Sequence, residues 1–429
     1  MNSSFIPFDD IRKHVVDAAT SLDPVPDGID GIYLVRNLYG KVSVSVSDTV
    51  KKSEACRVAV DSLAARLRKA LGAHATPKEN AVLFVPAPLL EKLQGVGQEV
   101  RSGVYLVDRL VTAGDWWTVG ELGASRQAVR CTLYSVKGGV GRSTTAAVLA
   151  WHLARNGQCV LVVDLDLESP GLSSALLEPE RRPDFGVTDW FVEALVGQDE
   201  HVIERMIATP TWVQDFDGDV RVVPAHGREP GEYLAKLGRV HMDTEEDPWT
   251  VRLNRLLVRL EDSIQPDVVV LESRSGLHDI AAATVTDLNA QVLLFATDSE
   301  SNWADYGVLF RHWQRHDLAR QIRERLFIVS ALTPELNTET YLQRFRERAW
   351  DLFRDHLYDE VVTSDNADPF SFDLPEEGAP HDPLPIHWTR GLAAGVSLYR
   401  LHESTVRQAY APFLHRVDRL PGLRAGAER

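Results

Sequence analysis

Eight consecutive residues, Lys137-Gly138-Gly139-Val140-Gly141-Arg142-Ser143-Thr144, constrain the fold of this 429-residue chain more than any other stretch. An apolar run, Val129 to Val136, leads into them, and a helix-periodic stretch begins near Thr145. Strand, glycine loop and helix in that order make a phosphate-binding loop. Glycines let successive backbone N–H groups turn onto a phosphate, and the helix adds the positive end of its dipole. The spacing therefore predicts a nucleotide held by Gly138, Gly139, Val140, Gly141, Arg142, Ser143 and Thr144. Ser143 is placed for its hydroxyl to meet Mg²⁺, and Thr144 to meet the α-phosphate. One letter departs from the usual G-x-x-x-x-G-K-[ST] pattern, because Arg142 stands where lysine is expected. Aimed at the β- and γ-phosphates, a guanidinium can grip two oxygens but is bulkier than an ammonium, so binding survives while turnover suffers. Lys137, at the start of the loop, is a second cation.

Two further motifs fit the loop. Asp164-Leu165-Asp166 follows the apolar run Val160 to Val163, so both carboxylates emerge at the carboxyl end of a strand, the edge where open parallel sheets bind ligands. Asp164 is the candidate for the metal shell and Asp166 for orienting an attacking water. Val268 to Leu271 ends in Glu272, a carboxylate placed to hold Mg²⁺ through water. The following Ser273-Arg274-Ser275-Gly276 reads as a mobile loop whose Gly276 amide can sense a γ-phosphate, with Arg274 either neutralising charge or pairing with a surface acid.

Around these motifs, apolar strands alternate with helical stretches, which predicts a mostly parallel, doubly wound α/β sheet. Its strands are Cys131 to Ser135, Val160 to Val163, Val220 to Val223, Val268 to Leu271, Gln291 to Ala296 and Leu326 to Ser330. A polar helical insertion is expected between Glu178 and Asp219, an acidic loop over Asp243 to Asp247 and a long loop without regular structure over Thr363 to Pro385. A final helix runs from about Gly391 to Val417, kinked at Pro412. Residues 1–125 read as a smaller, separate α+β domain. Its expected elements are a hairpin over 32–46 with one apolar face, a covering helix from Ser53 to Leu71 closed by Gly72, and strands at Ala81 to Val85 and Val104 to Val107. No catalytic constellation emerges there, and Trp116-Trp117 reads as core packing ahead of a partner surface.

Composition narrows the class. With 62 acidic against 46 basic residues and a formal net charge of -16, a general nucleic-acid coat is disfavoured, although a local basic patch is compatible. Cys56, Cys131 and Cys159 are far apart, form no C-x-x-C pair and read as reduced, buried thiols in a cytoplasmic protein. Met1 to Asp10 lacks the regions of a signal peptide, and no stretch is long enough to span a bilayer. His312, His316, His381 and His387 form no metal-ligand constellation and read as packing or surface residues.

Across KGGVGRST, DLDLESPGLS (Asp164 to Ser173) and VVVLESRSG (Val268 to Gly276), the chain resembles the deviant Walker A ATPases related to ParA and MinD, in particular the variants named for a KGGVGR loop. The resemblance covers about residues 129–340 and extends toward the C-terminus, giving a second domain over 129–429. It implies an ATP-sandwiched homodimer in which Lys137 reaches the partner subunit's nucleotide, Mg²⁺ as cofactor, and adenine contacts near Pro380 to Pro385. Arg142 and Glu272 depart from the family's lysine and aspartate and imply slow hydrolysis. The cysteine pairs of iron–sulfur carriers and tail-anchor targeting factors are missing, as is the C-terminal tyrosine cluster of the related kinases. Thr405 to Arg424 matches the basic membrane helix of some relatives only weakly, and reads as a helix docked on the core. The implied function is an ATP-dependent dimeric switch in a multi-component bacterial system, of conflict or signalling type, whose N-terminal domain engages a protein partner. A partition ATPase acting on DNA and a catalytically inactive nucleotide-binding subunit stand as alternatives. Adenine rests on the resemblance; no N-K-x-D guanine signature follows Leu326 to Ser330.

Overall fold

A computed structural model describes residues 6–20, 25–37, 39–109, 116, 128–242, 248–360, 369–392 and 403–423. The chain divides into two compact units, residues 1–114 and 115–429.

The first unit is built on five strands: β1 (Ile32–Arg36), β2 (Val42–Ser47), β3 (Val82–Val85), β4 (Gln98–Arg101) and β5 (Val104–Asp108), in the order β3-β2-β1-β5-β4. β1 and β2 form the expected antiparallel hairpin, Tyr33 facing Ser45, while β1 and β5 run parallel. The helix Glu54–Leu71 starts at Ser53, whose hydroxyl accepts from the Cys56 amide, and ends at Gly72 with φ near +54°. It buries Val60, Leu63, Leu67 and Leu71 with Ile32, Leu34, Val42, Val44 and Val46. The expectation of one apolar hairpin face is corrected, since both faces are covered. Tyr33, Val35 and Val107 pack with Leu93 of the helix Ala87–Val96, and Ser43, Ser45 and Ser47 are also buried.

The second unit holds seven strands: β6 (Val129–Tyr134), β7 (Cys159–Asp164), β8 (Asp219–Val223), β9 (Val268–Glu272), β10 (Gln291–Ala296), β11 (Leu326–Thr333) and β12 (Leu384–His387). Their order is β12-β11-β10-β6-β9-β7-β8, and every neighbouring pair is parallel. Such a sheet is covered on both faces, which explains the nearly continuous valine and leucine of β7 and β9. One face packs Val160, Val162, Val268 and Val270 against the helix Arg142–Arg155; the other packs Leu161, Val163, Val269 and Leu271 against the helix Trp249–Ile264.

Several expectations change here. β12 occupies the end of the stretch read as an irregular loop, whose residues 363–368 lie outside the described residues. The insertion between Glu178 and Asp219 is helical at Val187–Ala194, but Val187, Trp190 and Phe191 are buried in the core and not solvated. Trp116 belongs to the second unit, buried against Tyr134 and Trp313; Trp117 and Asp243 to Asp247 lie outside the described residues. Cys56 and Cys131 are buried and Cys159 is only half-buried, all three free. The C-terminal helix is described over Glu403–Val417, runs through Pro412, and docks Val406, Tyr410, Phe413 and Val417 into the core. Among the described residues no helix is long and apolar enough to cross a membrane.

Candidate functional site

The carboxyl ends of β6, β7 and β9 meet at the centre of the sheet, and the sequence motifs sit there. β6 runs into the glycine loop, and the helix Arg142–Arg155 starts with Gly141 as its N-cap at φ near +85°. Gly139, at φ near +75°, shares the left-handed backbone that only glycine adopts at little cost, and nothing lies within 4 Å of where a Cβ would stand on either residue. The loop is thus an open cradle of backbone N–H groups at a helix N-terminus, the arrangement that receives a phosphate.

The two cations part company across this cradle. Arg142 is only 6% exposed and turned inward: its guanidinium donates to Asp166 Oδ2 at 3.1 Å, to the Ser135 hydroxyl and to the Lys137 carbonyl at 3.4 Å. Lys137 is turned outward, its side chain 44% exposed and its Nζ 2.5 Å from Asp305 Oδ2. Ser135, Asp305 and the Glu168 that pairs with Arg274 were missed from sequence. Ser135 adjoins the loop and was open to that inference. Asp305 arrives from the distant helix Glu300–Arg315, and no motif announces it.

Three carboxylates line the floor. Asp164 and Glu272 are register partners across β7 and β9, and Asp166 follows two residues later. Asp164 is fully buried and accepts from the amides of Asp166 and Leu172 at 3.1 and 3.2 Å. Burial raises its pKa well above the usual carboxylate range, and the neighbouring charges of Glu272 and Asp166 push the same way. Glu272 accepts from the Ser143 hydroxyl at Oε1 while its Oε2 is buried without a partner. Burial pushes its pKa up to about 7, against the lowering pull of Ser143 and Arg142. Asp166 is raised by burial and held back by Arg142. A cluster in which carboxyl groups resist ionising next to a hydroxyl is suited to a hard divalent cation, which would satisfy the orphan oxygen and restore the charged form.

Other expected residues fall beside this centre. The Gly276 amide donates to the Ser135 carbonyl at 2.9 Å, and the Tyr134 hydroxyl donates to the Gly276 carbonyl at 3.2 Å. Val140 is buried and Thr144 half-buried at the first turn. Of the adenine candidates, His381 and Asp382 are buried, and Asp382 is clamped by Arg346 and Arg416.

Residues 131–327 match the family model of the CobQ/CobB/MinD/ParA nucleotide binding domain. A protein named as a replication protein A, from Rhizobium rhizogenes, is 29% identical over 156 residues, which are 36% of this chain and 37% of that protein. The match therefore spans little more than a third of the relative's length. Among solved structures, the chain is similar to a plasmid partition protein from Borrelia burgdorferi, with TM-score 0.40 and 16% identity, covering 68% of this chain and 97% of the other. It is also similar to the septum site-determining protein MinD complexed with Mg-ADP from Pyrococcus horikoshii, with TM-score 0.44 and 18% identity, covering 70% and 100%.

Proposed function

We propose, from the match of residues 131–327 to the CobQ/CobB/MinD/ParA nucleotide-binding family model, that the chain is an ATP-dependent dimeric switch with slow, Mg²⁺-dependent hydrolysis, serving a cytoplasmic multi-component bacterial system of conflict or signalling type. The observation that carries this reading is the opposite orientation of the two loop cations. Arg142 is sequestered on Asp166, whereas Lys137 is exposed at the rim and paired with Asp305. An outward lysine can meet the phosphates of a second subunit; an inward arginine cannot do so without first releasing Asp166.

The proposed cycle follows from these contacts. Nucleotide enters the open cradle over Gly138, Gly139 and Gly141, and its β- and γ-phosphates draw the Arg142 guanidinium away from Asp166. That exchange frees the Asp166 carboxylate to orient a water, so occupancy and catalytic readiness are linked through one side chain. Ser143, with Asp164 and Glu272 acting through water, would hold Mg²⁺, which would supply positive charge against the phosphates. Gly276 would give up its bond to the Ser135 carbonyl to meet the γ-phosphate. Slow turnover follows because Arg142 must leave a buried ion pair and then adopt a phosphate geometry suited to a smaller cation. The N-terminal unit is proposed to engage a protein partner.

A second reading, a partition ATPase moving over DNA, is favoured by the name of the replication relative and opposed by the net charge of -16. Light scattering with ADP, with ATP and without nucleotide, run beside a phosphate-release assay, tests the main reading. Wild type is expected to double in mass with ATP, and Lys137→Ala to remain monomeric while still binding nucleotide. Equal dimerisation of the Lys137→Ala protein would sink the role of Lys137 in trans. Wild type that neither dimerises nor releases phosphate indicates a fixed nucleotide-binding subunit, and salt-sensitive DNA binding that appears only with ATP indicates the partition reading.

A further inference from the structure

Beside the phosphate cradle, three segments far apart in sequence bring two imidazoles and a carboxylate together. Glu168 lies four residues beyond β7; His278 is the N-cap of the helix Asp279–Thr286, after the loop that follows β9; His241 precedes the helix Trp249–Ile264. One ligand atom from each lies within 4.8 Å of the other two, and all three residues are half-buried. The two imidazoles meet at 5.2 Å between ring centroids, and the edge of His241 is backed by Trp249 at 5.1 Å. Glu168 uses Oε1 to pair with Arg274, while its Oε2 is buried with no hydrogen-bond partner.

From this convergence we infer that Glu168, His241 and His278 form a binding site for a first-row divalent transition-metal ion, Zn²⁺ being the best fit. The donor set decides the class. Two imidazole nitrogens and one carboxylate oxygen are the ligands of a four-coordinate zinc site completed by water, whereas Mg²⁺ prefers oxygen throughout. Bonds of about 2.0–2.2 Å bring ligand atoms to roughly 3.3–4 Å from one another, so modest side-chain rotations close the site. The partnerless Glu168 Oε2 supplies a charge that leaves the Arg274 pair intact.

Binding also changes the helix start. The His278 Nδ1 accepts from the Ile280 amide at 3.4 Å. If Nδ1 ligates, its lone pair is taken; if Nε2 ligates, the ring proton moves to Nδ1, which then cannot accept. Either way the ion replaces a long capping bond with a stronger tie, linking the segments after β7 and β9 to the one ahead of Trp249. The inference stands apart from the nucleotide reading and does not need it.

Calorimetric titration of the full chain, stripped with chelator and kept in excess Mg²⁺, tests it with Zn²⁺ as probe. Co²⁺ absorption in the visible region reports four-coordinate geometry. One Zn²⁺ per chain is expected. His278→Asn, which keeps a capping acceptor, and His241→Phe, which keeps the packing on Trp249, should each raise the Kd at least about tenfold; Glu168→Gln should also weaken binding. His312→Ala combined with His316→Ala removes a separate pair of histidine rings, 4.5 Å apart, and should leave the Kd unchanged. Circular dichroism confirms that each variant is folded, and His278→Asn decides the matter if His241→Phe does not fold. Failure of the wild type to bind Zn²⁺, an unchanged Kd in His278→Asn, or loss of binding in the His312/His316 variant would overturn the assignment.

Discussion

Arg142 carries two incompatible duties. Its guanidinium satisfies Asp166 and Ser135 in a buried corner, yet the proposed cycle needs it on phosphate. Arg142→Lys should therefore speed phosphate release: a lysine gives up the forked contact, and losing one charge-assisted hydrogen bond of roughly 1.5 kcal/mol is worth about tenfold in rate. A single-turnover assay that finds the lysine variant slower would mean that the arginine fork itself serves the reaction. Glu272 makes a second prediction, in stability. Its folded pKa is about 7 against an ordinary 4.5, so the folded state binds the extra proton between those values. The stabilisation is complete below about pH 4.5 and is lost as pH rises through 7, an order of 3 kcal/mol at full loss. Urea unfolding without Mg²⁺ should show this decline, and Glu272→Gln should make it shallower while the raised Asp164 and Asp166 keep their share; an equally steep decline in the variant would assign it to those groups.

At the level of strands and helices, burial decided what could be read in advance. β7, β9 and β10 announced themselves because a sheet covered on both faces demands unbroken apolar runs. The glycine loop and the carboxylates after β7 and β9 were legible for the same reason, since each follows such a run. β12 was not, because Pro385 argues against a strand; as an edge strand it needs fewer backbone donors and tolerates proline. The helix Ile11–Ala19 was missed because its buried stripe is only Ile11, Val15 and Ala19. β4, the polar QEVR edge strand, carries no alternation to recognise. Arg130 shows the limit from the other side: near the start of apolar β6 it looks like an error, yet it makes a two-pronged pair with Glu261 of the helix Trp249–Ile264, at 2.6 and 3.1 Å, both side chains being buried. Arg130→Met should cost about 3–5 kcal/mol by stranding Glu261, and adding Glu261→Leu should recover most of that loss. Denaturant unfolding of the single and double variants checks it; a double variant no more stable than the single would refute the pairing argument.

The two compact units each pack both faces of their own sheet, and among the described residues the phosphate loop, the carboxylates and the histidine pair lie in the second. The first unit is packed around Leu34, Val44 and Leu63, and no catalytic cluster was read in its sequence. The second gathers loop, carboxylates and the histidine pair at the strand ends on either side of β9. The pairing of Asp164 with Glu272 has a consequence for how such a chain can change its length. Because side chains alternate along a strand, a one-residue deletion inside β7 or β9 would swing a carboxylate into the apolar layer and move the next residue, Leu165 or Ser273, into its place. The connection between β7 and β8, by contrast, already accommodates the helix Val187–Ala194 and several shorter turns without disturbing that pairing. Length can thus be gained or lost between the strands far more freely than within them, and new partner-binding surfaces would grow from the connections while the spacing of the acids stays fixed.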